Sequence, residues 1–300
     1  MSRNGHGRSA RIPDNGATGR LYVVGTPIGN LEDITLRALR TLKEVDVIAC
    51  EDTRQTQQLL NHYSIPTRTV SYHQHNEMTR APELILQMEE GSQIALVSDA
   101  GMPGISDPGY RLVHLAIRHE IPVIPVPGVS AFVAAISASG LPVDEFRFLG
   151  FLPSKKSARR KGLKLLADSS KAVIFYEAPH RLVEMLGDLL EVLGDRTAVV
   201  AREVTKAHEE FLRGTVSEVL EAIKRQPVKG EITVILGAAT AEAQKAQPAK
   251  SISEELEGIM TSEGLAERDA LKVVARQRGI SKSEAYRQWQ AERRGVSHSS

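Results

Sequence analysis

The sequence predicts an α/β protein, with two α/β/α domains in tandem and a small C-terminal helix-turn-helix domain. Three observations carry this reading. Short strand-like runs alternate with helical patterns from residue 21 to about 140, and a second alternation follows the stretch Leu141-Pro142-Val143-Asp144. The last fifty residues then form charged helical patterns broken by Gly279. A length of 300 residues fits two domains with room for a small third. Apolar residues make up 41% of the chain, enough for ordinary cores, and the formal charge of +1 confines any nucleic-acid surface to a local patch. Cys50 is the sole cysteine, which excludes an internal disulfide, and no zinc-ligand spacing occurs, so neither a metal nor an oxidising compartment is expected. No apolar run has the length of a membrane span, and a cytoplasmic location fits best.

The first domain, 21–140, carries strand patterns at 21–24, 46–50, 67–71, 93–98 and 122–126. Helical patterns at 34–43, 53–62, 80–90 and 110–119 separate them, which predicts a mainly parallel sheet covered on both faces. A further helix over 130–139 starts after Pro127-Gly128 with Ser130 as N-cap and stops at Gly140. The second domain, 141–240, has strand patterns at 146–151, 172–176, 197–202, 209–213 and 231–236, with helices at 157–167, 181–193 and 216–224. The Ala/Gln/Lys-rich stretch 241–250 is a linker to the helical unit 251–300. There a helix at 267–278 ends at Gly279, and Ser281 or Ser283 caps the next. Residues 1–20 hold four arginines and no apolar segment, so they are a flexible extension rather than a signal peptide.

The first strand runs into Gly25-Thr26-Pro27-Ile28-Gly29-Asn30. This loop lacks the Gly-x-Gly-x-x-Gly spacing and a terminal Gly-Lys-Ser/Thr, and Pro27 removes a backbone donor that a phosphate cradle needs. It points to a nucleoside ligand without phosphate, such as S-adenosylmethionine, or else to a tight turn with no ligand. The loop 98–109 (Ser-Asp-Ala-Gly-Met-Pro-Gly-Ile-Ser-Asp-Pro-Gly) combines small residues, which let backbone approach a ligand, with short polar side chains. Both loops, and Val126-Pro127-Gly128-Val129-Ser130-Ala131, follow predicted strands and so converge on one rim of the sheet.

With these three segments, together with 50–54, 71–77, 176–181 and 202–206, the chain resembles the tetrapyrrole-methylase superfamily of S-adenosylmethionine-dependent methyltransferases over roughly 20–295. Within it the likeness is to the branch that modifies ribosomal RNA. The resemblance implies a cofactor held between two α/β domains and a homodimer. The implied reaction is methylation of the ribose 2′-oxygen of a cytidine in the decoding region of small-subunit RNA, either naked or in the assembled 30S subunit. It also implies that Gly101, Ile105, Ser106, Ser130 and Ala131 line the cofactor pocket with the first loop; Thr26, Pro27, Ser98, Asp99, Tyr176 and Glu231 complete the expected set.

A ribose hydroxyl attacks only when its proton is removed or polarised, which calls for a carboxylate or a lysine of lowered pKa. Lys206, oriented by Glu203 or Glu177, is the expected catalytic group; an ion-pair network of structural use is the alternative. His73 and His75 lack a third ligand for a metal. The run 155–164 holds six Lys/Arg and no acid, and Lys155, Lys156, Arg159, Arg160 and Lys161 are expected to contact RNA phosphates, with Arg54, Lys282 and Arg287. A methyltransferase of the same fold acting on a small molecule or protein, and a non-catalytic nucleic-acid-binding regulator, are the rival readings.

Overall fold

The structure, a computed structural model, describes residues 19–167, 169–226, 228–239 and 252–296. Most of the expected N-terminal extension and the linker 241–250 lie outside the described residues.

The first sheet contains β1 (Arg20–Val24), β2 (Val47–Cys50), β3 (Thr69–Ser71), β4 (Gln93–Leu96) and β5 (Val123–Val126) in the order β3-β2-β4-β1-β5. Every pairing is parallel. Strands of this kind are apolar on both faces because helices cover both, and all four residues of β2 are buried. On one face α1 (Leu36–Glu44) and α2 (Thr53–His62) insert Ala38, Leu42, Leu59 and Leu60 against Val24 and Ile48. On the other, α3 (Glu77–Glu89) and α4 (Tyr110–Arg118) bring Leu84, Met88, Leu112 and Ala116 against Leu21 and Leu96. Because the strands are parallel, the loops after β1, β4 and β5 leave from the same rim. β4 and β5 flank β1, so the chain departs to opposite sides there and opens a crevice.

The second sheet contains β6 (Phe146–Phe151), β7 (Ala172–Glu177), β8 (Thr197–Arg202), β9 (Glu210–Thr215) and β10 (Ile232–Leu236) in the order β6-β7-β10-β8-β9. Only β6 and β7 run parallel; the remaining pairs are antiparallel. One face is covered by α6 (Lys156–Lys164), α7 (Pro179–Leu193) and α8 (Val216–Arg225), with Leu163, Leu186 and Val219 in its core. The other face is covered by α5 (Ala131–Ser137).

That placement of α5 corrects the expected domain boundary. The sequence pattern puts 130–139 with the first domain, yet Ala135 and Ile136 pack on Ile174, Val199, Ala201 and Ile235 of the second sheet. Arg213 of β9 fixes the helix end by donating to the Ala138 and Ser139 carbonyls at 2.7 and 3.1 Å. The crossing between the layers therefore falls at Pro127-Gly128. Gly25 and Gly128 touch there: a Cβ on Gly25 would lie 2.7 Å from the Gly128 Cα, so no side chain is tolerated on either.

Both sheets belong to one compact unit ending at Ala239. The second unit is a helical bundle of α9 (Ile252–Glu263), α10 (Glu267–Gln277) and α11 (Lys282–Val296). Its core joins Ile252 and Leu256 to Leu271, Val274, Ala285 and Trp289. The expected helix-turn-helix pair is α10 and α11, with Ser281 Oγ accepting from Glu284 N at 3.2 Å; α9 is an additional helix. Glu292 of α11 caps α9 by accepting from Ile252 N and Ser253 N, both at 3.0 Å. Among the described residues no helix is long and apolar enough to cross a membrane.

Candidate active site between the two sheets

The crevice over the first sheet faces the ends of β6, β7 and β10 and encloses a cavity of about 390 Å³. From the loops of the first sheet come Ile28, Gly101, Met102, Ile105, Ser106 and Asp107; from the second sheet come Phe151, Tyr176, Glu177, Ile232 and Thr233, and Ser130 and Ala131 join them from the start of α5. A smaller hollow of about 220 Å³ adjoins it, lined by Thr26, Pro27, Gly29, Gln55, Ser98, Asp99 and Lys206. Ile28, Ala100 and Glu231 border both. Every residue expected to bind the cofactor thus lines one hollow or the other.

The loops are locked before any ligand arrives. Thr26 and Gly101 exchange backbone hydrogen bonds of 2.9 and 3.1 Å, tying the β1 loop to the β4 loop. The buried Thr26 hydroxyl donates to the Ser98 carbonyl at 3.1 Å, and the Ser98 hydroxyl to the Gly101 carbonyl at 3.3 Å. These two hydroxyls therefore shape the loop. Asp99 Oδ1 accepts from Asp52 N at 3.0 Å, which anchors the start of α2. Across the cavity the Tyr176 hydroxyl accepts from Phe132 N at 3.2 Å and holds α5 to β7. Ser106 at φ 65°, Glu203 at φ 50° and Thr205 at φ 72° are non-glycine residues in the left-handed region, and all three lie on loops at the crevice.

Glu177, 2% exposed, ends β7; its Oε1 accepts from Ala178 N at 2.8 Å and pairs with Arg181 at 3.2 Å. Its Oε2 is buried without a hydrogen-bond partner. An orphaned carboxylate oxygen in a cavity wall suits a ligand that brings hydroxyl or amino donors. Asp107 gives a second signal that the loop spacing alone did not single out. Burial, then the Glu51 and Asp99 carboxylates, push its pKa up from 3.8 to about 6, and a Ser98 hydrogen bond offsets part of this. A wall of crowded carboxylates of this kind suits a cationic ligand.

Lys206 corrects the expected catalytic assignment. Its ammonium donates to Glu203 Oε1 at 3.0 Å and pairs with Glu231 Oε2 at 3.2 Å. Partial burial opposes its charge, but the two carboxylates prevail and its pKa is raised, so it is held protonated and is no lowered-pKa base. Glu177 is not its partner, being committed to Arg181. Glu203 Oε1 also accepts from Glu231 N at 2.8 Å, and that backbone bond is foremost among the contacts that lower its pKa. Gly29 and Gly230 make room: a Cβ on the first would overlap the Lys206 side chain, and on the second the Glu203 carboxylate.

The basic run is also reshaped. Arg159 is fully buried, with Nε donating to Asp188 at 2.7 Å and Nη2 in ion-pair contact with Asp188 at 2.6 Å and Glu184 at 2.7 Å. It is a core ion pair and not a phosphate contact, because no RNA can reach it. Arg160 is engaged by Glu191, while Lys156 lies 4.0 Å from Asp188. Lys155 and Lys161 are exposed. Arg54 is 88% exposed but folds back on Asp52 at 2.9 Å. Lys282 and Arg287 are exposed on α11. His73 and His75 stack edge to face at 5.9 Å in the turn after β3, and among the described residues no group of His, Cys, Asp or Glu is arranged to hold a metal.

A family model for tetrapyrrole (corrin/porphyrin) methylases matches residues 20–220. The chain belongs to that family. Curated relatives of this methylase include proteins named ribosomal RNA small subunit methyltransferase I. That of Halalkalibacterium halodurans is 55% identical over 73% of this chain and 75% of its own length. That of Thermotoga maritima is 50% identical over 73% of this chain and 98% of its own, so it is about as long as the α/β unit alone. Among solved structures, the uroporphyrin-III C-methyl transferase of Thermus thermophilus complexed with S-adenyl homocysteine superposes with a TM-score of 0.52. It is 23% identical and covers 76% of this methylase and 100% of its own chain, a likeness of fold.

Proposed function

We propose that this methylase transfers a methyl group from S-adenosylmethionine to the ribose 2′-oxygen of a cytidine in the decoding region of small-subunit ribosomal RNA. The observation that carries the reading is the Lys206–Glu231 pair, set where a donor-sized cavity meets a second hollow. Ser106, Asp107, Ser130, Tyr176 and Glu177 would hold the donor in the larger cavity, and the nucleotide would enter the smaller one. When bound, the donor supplies the methyl group and a sulfonium leaving group. The chain's own task is alignment and proton removal. Glu231 borders both hollows, so its carboxylate is the group placed to accept the hydroxyl proton; Lys206, kept charged, orients it and offsets the charge that grows on the ribose oxygen.

The test compares ribosomal RNA from cells with and without this gene by mass spectrometry. The expected loss is one ribose methyl from a cytidine of the small-subunit RNA. An unchanged methylation pattern would contradict the proposal.

Two further expectations belong to this reading. Asp107 binds its proton more tightly in the folded chain, so its contribution to stability falls as pH rises from about 3.8 to about 6. Donor binding runs the other way, since only the ionised carboxylate attracts a sulfonium. Calorimetry should show donor affinity weakening as pH drops through about 6, with Asp107→Asn flattening the dependence. RNA binding should depend steeply on salt, and neutralising Lys155, Lys156 and Lys161 should flatten the log–log slope by about 0.7 for each lysine that meets a phosphate. An unchanged slope would remove this face from the RNA site.

The chain acts as a homodimer in this proposal. Edge strand β6 leaves Phe146, Leu149 and Phe151 between 43% and 55% exposed, an apolar row that a second copy would cover. Light scattering on the purified protein reads this directly. A cytoplasmic site of action follows from a ribosomal RNA substrate and a lone thiol buried at Cys50.

A further inference from the structure

The helical unit has a groove of about 520 Å³ between α10 and α11. Aromatic residues make up only 4% of the chain and it holds one tryptophan, yet this groove is walled by Tyr286 and Trp289 together. Trp289 is 7% exposed and shared with the helical core, whereas Tyr286 is 46% exposed, their ring centroids 5.7 Å apart. Leu271 adds an apolar side, and the exposed Arg268 and Lys282 stand at the margin with Glu267 as the single acid. An exposed tyrosine over an apolar floor, edged by cations, complements a flat aromatic ring carrying a phosphate. The deep, narrow major groove of an RNA duplex does not admit such side chains, whereas an unpaired base can be splayed out and stacked.

We propose that this groove is a single-base site that stacks one unpaired RNA nucleobase on Tyr286, beside Trp289, and seats the neighbouring phosphate on Lys282 and Arg268. The inference rests on the RNA reading above and adds the form of RNA recognised. It assigns the helical unit to single-stranded segments rather than to helix insertion in a duplex groove.

Trp289 is a built-in probe, being the sole tryptophan. The full-length protein is titrated with a ten-nucleotide oligocytidylate and with a fully paired RNA duplex of the same length, reading tryptophan emission and filter retention in parallel. The single strand is expected to change the emission and the duplex to leave it unmoved. Tyr286→Ala should weaken single-strand binding by about tenfold without changing its salt slope, and Tyr286→Phe should preserve it. Lys282→Ala should instead reduce the slope by about 0.7. Retention of the single strand by Tyr286→Ala at wild-type affinity overturns the base site; it is also the result if the groove takes an apolar protein segment. Equal emission changes with duplex and single strand overturn it as well. Retention of neither RNA contradicts the RNA reading itself, which separates that failure from failure of the groove.

Discussion

Lys206→Ala is expected to lower the turnover of methyl transfer by about a hundredfold or more while leaving donor affinity close to that of the parent protein. The asymmetry follows from position. Lys206 borders the smaller hollow only, and its ammonium is engaged by Glu203 at 3.0 Å and Glu231 at 3.2 Å. Removing it frees the Glu231 carboxylate to swing into solvent, to which its side chain is already 66% exposed. It also removes the positive charge that these carboxylates hold at the junction of the two hollows. Lys206→Arg should recover part of the rate, since charge is kept but the single-point reach is changed. Glu231→Gln should match Lys206→Ala in turnover, and the double variant should be scarcely worse than either, as expected of groups that act as a unit. Single-turnover rates and calorimetric donor titrations, made side by side, check this. Parallel loss of donor affinity and rate would make Lys206 part of the donor's wall instead.

The second large effect concerns stability. Arg159→Ala removes the partner of Asp188, a residue of α7 that is 2% exposed and faces α6. Lys156 at 4.0 Å and Arg160 at 3.7 Å are too distant to replace the paired bonds of 2.6 and 2.7 Å. Leaving a buried carboxylate without its cation costs about 3–5 kcal/mol. Denaturant unfolding should show that loss, and the Arg159→Ala/Asp188→Ala double variant should regain part of it because no lone charge remains. RNA affinity of the folded fraction should be unchanged. Unaltered stability with weakened RNA binding would return Arg159 to the surface patch.

Arg159 also shows what a composition of residues conceals. Six cations in ten residues signal a basic surface, but α6 turns once per 3.6 residues and places Arg159 on the side of Leu163. Glu184, Asp188 and Glu191 recur on α7 at the spacing of one helix face, so the matching acids were written in the sequence, in a different helix. The strands were legible because runs such as Ile232–Leu236 and Ala172–Glu177 are apolar throughout most of their length. Their mutual direction was not, since a strand buried on both faces carries no mark of whether its neighbours run with or against it. The affiliation of α5 was hidden for the same reason: Ala135 and Ile136 suit either sheet.

The loops at the crevice were the most readable part of the site. Their glycines and prolines, such as Gly25, Gly101 and Pro127, follow strand ends, and the parallel topology then brings them together. The charge state of Lys206 was unreadable, because it depends on Glu231, which arrives from the approach to another strand. Asp107 is similar: its proton affinity is set by burial, by Glu51 from the loop after β2 and by Asp99 earlier in its own loop. The apolar stripe Ile252, Leu256, Ile259 and Met260 of α9 has helical spacing, but it follows directly on a linker-like composition.

The most direct test supplies purified small subunits from cells lacking the gene, with S-adenosylmethionine labelled in its methyl group, to the parent protein and to Glu231→Gln. One label on the ribose oxygen of a single cytidine with the parent, and almost none with the variant, is the predicted result. Label on a base or on protein, or undiminished ribose labelling by Glu231→Gln, would contradict it.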